Sequence, residues 1–103
     1  MKFKYQLVIQ FDANDDEADY DKLLVLEESV IENIGQLGAV DGHDIGSGEC
    51  NIFVHTNDAP KAFDGIKEIV TNGLPNMRAA YRDFKKEAFI PLWPKGLKKF
   101  EVI

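Results

Sequence analysis

Cysteine is nearly missing from this chain. Cys50 stands alone, so no intrachain disulfide can form and a four-thiolate metal site is excluded. Long apolar runs are missing as well: no stretch approaches the ~20 residues that a membrane-spanning helix needs. Met1-Lys2-Phe3-Lys4 leads into alternating residues instead of a signal-peptide core, so the expectation is a cytoplasmic protein with no membrane contact. Basic residues are too few to balance the acids, 12 against 18, which leaves a net charge of -6. Phosphate binding normally rests on a basic footprint, so this balance argues against DNA or RNA as the principal ligand.

What is present is enough for one core. The chain has 103 residues, 45% hydrophobic and 29% charged, which fits a single soluble domain over residues 1–103. Its charge is unevenly placed. Residues 1–68 carry 15 acids against 5 bases, about -10, while residues 69–103 carry 3 against 7, about +4. The extreme stretch is 12–21, where Asp12, Asp15, Asp16, Glu17, Asp19 and Asp21 have no base among them.

Periodicity then orders the elements. From Phe3 to Phe11 residues alternate, with Phe3, Tyr5, Leu7, Ile9 and Phe11 on one side of a half-buried strand. After the acidic turn, Tyr20, Leu23, Leu24, Leu26, Val30, Ile31 and Ile34 recur every three or four residues. That spacing predicts a helix of about four turns, capped by Asp19 or Asp21 and ended by Gly35 or Gly38. Segments 39–45 and 49–56 flank Gly46-Ser47-Gly48 and read as a hairpin. Pro60 opens a second helix that carries Ala62, Phe63, Ile66, Ile69 and Val70 and stops at Asn72-Gly73. A strand over 77–85 follows, and residues 100–103 are expected to add a short edge strand. The order predicts an α+β ferredoxin-like fold, a split βαβ (βαββαβ) two-layer sandwich. Two helices cover one face of a four-stranded antiparallel sheet, and a C-terminal tail is appended. Many unrelated functions share that fold, so it decides little about activity.

Candidate sites are few. Asp12-Ala13-Asn14-Asp15-Asp16-Glu17 opens like a calcium loop, but Glu17 occupies the place of the sixth-position glycine and Leu23 that of the closing glutamate. His43, Asp44, Glu49, Cys50 and His55 offer acid-base and ligand chemistry on one hairpin. With Ile45 opposite Glu49, His43 lies opposite Asn51 and roughly 13 Å from His55, too far for a shared metal. No metal and no cofactor is therefore expected. Cys50 alternates in phase with Ile52 and Val54 and reads as a core residue. The glycines of 42–48 match neither a phosphate-cradling loop nor a nucleophile elbow. The face carrying Gln6, Val8, Gln10, Phe53, His55, Arg78 and Arg82 has only Phe53 as an aromatic platform, against RNA stacking. Phe89, Ile90, Leu92 and Trp93 are expected to lie over this face, and any of them left exposed, Trp93 above all, becomes a partner anchor.

No motif identifies the function. The reading that charge and size support is a non-enzymatic acidic module that binds a basic protein partner, most concretely an immunity or antitoxin-like inhibitor of a basic toxin or nuclease. Asp12, Asp15, Asp16, Glu17, Asp19, Glu27, Glu28 and Trp93 are its expected contacts. The alternative is a small-ligand or modest enzyme site on the 42–55 hairpin, with His43 as base and Asp44 or Glu49 orienting it. A homodimer across the open sheet face is the expected way to complete such a site.

Overall fold

A computed structural model describes residues 3–102; Met1, Lys2 and Ile103 lie outside them. Strand β1 spans Tyr5–Asp12, helix α1 Glu17–Ile34, strand β2 Gly38–Gly46, strand β3 Glu49–Thr56, helix α2 Ala59–Thr71, strand β4 Arg78–Asp83 and strand β5 Ile90–Trp93. One short 3-10 turn, Gly35–Leu37, joins α1 to β2. The sheet is antiparallel throughout and runs β2-β3-β1-β4-β5. Both helices lie on one face, so the architecture is a two-layer α+β sandwich.

Alternation in β1 decides what is buried. Leu7, Ile9 and Phe11 point toward the helices and join Cys50, Ile52 and Val54 of β3 in the main core. Leu23, Leu26, Val30 and Ile34 of α1 and Ala59, Ala62, Phe63, Ile66 and Val70 of α2 close it from above. Tyr20, Leu24 and Ile31, grouped with these by their spacing, instead remain 40%, 37% and 55% exposed. A helix buries an arc of only about 100°, and these three fall beyond it.

Three further expectations are corrected. Helix α1 begins before Asp19, and Asp16 is its cap, accepting from the Asp19 amide at 2.9 Å. Asp19 turns back and accepts from the Asn14 amide. The sheet has five strands instead of four, and the added edge strand is β5; residues 100–102 form none. Pro91 does not prevent this, because an edge position asks for no donor on its outer side. Finally, the hairpin turn is shorter than read: Gly46 pairs with Glu49, so Ser47 and Gly48 alone make the turn. Both have positive φ, 55° and 83°, the twist that a two-residue hairpin requires.

The face away from the helices is covered too. Val8 and Ala80 are fully buried there, and the tail carbonyl of Glu101 accepts from Gln10 at 2.9 Å. Phe89 and Phe100 pack ring to ring in the same layer, and the Arg82 guanidinium lies over Phe89. The tail thus closes this side of the sheet.

Close packing where α1 hands over to β2 makes a clean test. A Cβ at Gly38 would stand 2.6 Å from the His55 carbonyl oxygen, whereas one at Gly42 meets open space. Gly38→Ala is expected to cost about 1–3 kcal/mol in denaturant unfolding. Gly42→Ala should stay within about 0.5 kcal/mol of the parent, and equal effects would contradict the packing.

Candidate functional site

The hairpin register sorts the candidate residues onto two faces. His43 pairs with Ile52 and Ile45 with Cys50, which places His43 on the helix side. Asp44 pairs with Asn51 and Gly46 with Glu49, which places both acids on the tail side. An extra residue, Asp41, bulges β2 between Val40 and Gly42. The expected opposition of His43 and Asn51 is off by one position, and a shift of one residue exchanges faces. His43 therefore meets neither Asp44 nor Glu49. Its Nδ1 lies 2.9 Å from Glu27 Oε2 of α1, and its ring meets Tyr20 edge-on at 5.8 Å. His55 sits on the other face, 3.6 Å from Asp41 and 4.9 Å from the Phe84 ring. Among the described residues no group of three or more His, Cys, Asp or Glu is placed to hold a metal ion.

On the tail side a polar ladder crosses four strands. Asn51 Nδ2 donates to Asp44 Oδ1 at 2.8 Å, Gln10 Nε2 to Asn51 Oδ1 at 2.9 Å, and Arg78 Nε to Gln10 Oε1 at 2.7 Å. Glu49 Oε2 accepts from Gln10 at 2.9 Å and from Asn51 at 3.4 Å. Arg78 Nη1 donates to Asp12 at 2.7 Å. Gln10, Asn51 and Glu49 are buried, and every buried side-chain polar atom among the described residues is satisfied. Such a closed network specifies one register and ties down the tail through Glu101. A cavity of about 110 Å³ opens beside it, lined by Asp44, Ser47, Glu49 and Asn51. That is well below the ~300–1,000 Å³ of a small-molecule site.

Two groups near the ladder have shifted titration. Burial pushes the Cys50 thiol up to about 11, with the Asp19 carboxylate adding to the effect. The thiolate that would attack is thereby suppressed. Asp12 moves the other way: the bond from Asn76, then that from Arg78, holds its carboxyl below the ordinary 3.8.

The acids expected to meet a partner divide in two. Asp12, Asp16, Asp19 and Glu27 are held by internal bonds to Arg78, the Asp19 amide, the Asn14 amide and His43. Asp15, Glu17 and Glu28 are exposed, with Asp21 and Glu32 beside them. Among the described residues none of these five forms an ion pair with a base. Among the described residues, Arg78 is the one base of the C-terminal third that pairs with the acidic segment. Trp93 faces the core from β5, with Lys67 Nζ 3.9 Å above its ring.

The spacing of α1 carries a second signal beside its core stripe. Tyr20, Leu24 and Ile31 follow i, i+4, i+11, a stripe separate from Leu23, Leu26, Val30 and Ile34. Its Tyr20 end reaches β2, where the ring meets His43. No protein-family model, curated protein or solved structure matches the chain.

Two measurements check this site. Because the Asp12 carboxyl is depressed in the fold, its stabilisation is fully present above the unfolded value near 3.8 and lost as pH falls through the lower folded one. Asp12→Asn should flatten the acid limb of stability between about pH 5 and pH 2, followed by urea midpoints; an unchanged limb would contradict the assignment. In thiol-labelling, Cys50 should stay unmodified in the native protein at about pH 8 and react on unfolding, whereas fast native labelling would refute a suppressed thiol.

Proposed function

We propose that this chain is a non-enzymatic module that binds a basic protein through the outer face of α1. The observation that carries the reading is a surface of two parts. An exposed apolar stripe of Tyr20, Leu24 and Ile31 runs beside a row of unpaired acids, Glu17, Asp21, Glu28 and Glu32. Four of the six large exposed hydrophobic residues among those described lie on α1, the fourth being Val25. Clustering of this kind marks an interaction surface, whereas single exposed apolar residues do not. The acids supply steering and select a cationic partner; the stripe supplies area to desolvate.

The concrete form is an immunity or antitoxin-like inhibitor of a basic nuclease or toxin, whose cationic cleft presents the matching charge. Fast association with such a target follows from a net charge of -6 concentrated in the first two thirds of the chain.

The test begins with a basic protein captured from lysate of the chain's own source and purified. Its association with the parent and with a Glu17→Lys/Glu28→Lys variant is then followed across salt concentrations. The variant leaves the Asp16 cap intact, so folding is preserved. Association about tenfold slower, with a shallower salt dependence, is expected. Identical rates and identical salt dependence would sink the reading.

A further inference from the structure

We infer that the partner engages as an extended basic segment adding a strand to the outer edge of β2, an inference that rests on the docking reading above. β2 ends the sheet, so its outer backbone groups have no neighbouring strand. Among the described residues, no backbone hydrogen bond outside the β2–β3 ladder involves Gly38–Gly46. The opposite edge differs, since β5 carries Pro91 and is only four residues long. β2 is nine residues long, and beyond the bulge at Asp41 it pairs regularly with β3 from 42 to 46. An open edge of this length is a template for strand addition.

The two sides of that edge define what would fit. Toward the helices, Tyr20 and Glu27 of α1 contact His43 of β2, and Leu24 and Ile31 lie exposed on the same helical stripe as Tyr20, the apolar surface available on this side. Toward the tail, Asp41 and Asp44 are exposed beside the edge, each with an internal partner, His55 and Asn51, on the sheet side and carboxylate surface left open to cationic side chains. Side chains of an added strand alternate between these sides. The matching segment therefore alternates apolar and basic residues. A second copy of this chain fits poorly, because pairing two β2 edges would crowd Asp41 and Asp44 against like charges.

The test uses a blocked peptide of alternating valine and lysine, matched to the nine residues of β2. A second peptide of the same sequence carries N-methyl groups on the residues facing β2. Amide exchange and resonance shifts are followed by NMR, with affinities from titration. Strand addition predicts slowed exchange at alternate β2 amides. It also predicts affinity about tenfold or more weaker for the methylated peptide, because paired backbone bonds are lost. The exposed variant Ile31→Lys should weaken the unmethylated peptide as well. Equal binding by both peptides, or no binding, overturns the inference. Peptide shifts confined to α1 overturn strand addition while leaving the α1 docking reading standing. β2 protection that grows with protein concentration in the absence of peptide names a second copy as the occupant and also overturns it. Conversely, β2 protection by peptide, with a captured partner indifferent to Glu17→Lys/Glu28→Lys, would retain the edge site and remove the α1 reading.

Discussion

The two-residue turn at Ser47-Gly48 fixes which side of the sheet each hairpin residue faces, and the rest of the molecule depends on that register. Both turn residues adopt positive φ, as a two-residue hairpin of this twist requires. With Gly46 set against Glu49, Asn51 falls into line with Asp44 and Gln10, and Arg78 completes the row from β4. Four strands are then joined by side-chain bonds as well as by their backbones. Slipping the hairpin by one residue would leave buried amides without partners, each costing about 1–3 kcal/mol.

The same register separates the ingredients of an active site. A histidine, two acids and a thiol lie within eight residues of chain, yet the sheet runs between them. His43 is held against Glu27 and Tyr20 under the helix layer, while Asp44 and Glu49 accept from amide donors on the opposite face of the sheet. Cys50 is packed in the core as a neutral thiol. What remains at the surface is charge and apolar area on α1 and an open strand edge on β2. The proposed docking reading is built on these features.

Much of the fold was legible because it rests on periodicity. Alternation in 3–11, helical spacing from Leu23 to Ile34 and the Pro60 start each found the right element. The misjudged features rest on choices that pattern does not distinguish. Six acids within 12–21 can all cap a helix, so nothing local singled out Asp16. Gly46-Ser47-Gly48 permits a turn of two or three residues, and the bulge at Asp41 has no compositional mark. Gln10 and Asn51 look like surface residues in sequence, yet both are buried, and Gln10 is bonded to a tail carbonyl 91 residues away. Nothing in the sequence separated Asp15, Glu17 and Glu28 from the other expected docking acids: Asp16 and Asp19 are taken up by local amides of the turn, and Asp12 and Glu27 by Arg78 and His43 from distant strands.

One measurement tests the register directly: cross-strand and ring NOEs in the uniformly labelled protein. The structure predicts contacts pairing Asp44 with Asn51 and His43 with Ile52, together with NOEs between the His43 and Tyr20 rings. Contacts pairing His43 with Asn51, with the His43 ring on the tail side near Gln10, would reunite His43 with the hairpin acids. That result would contradict the division of the sheet on which the docking surface is built.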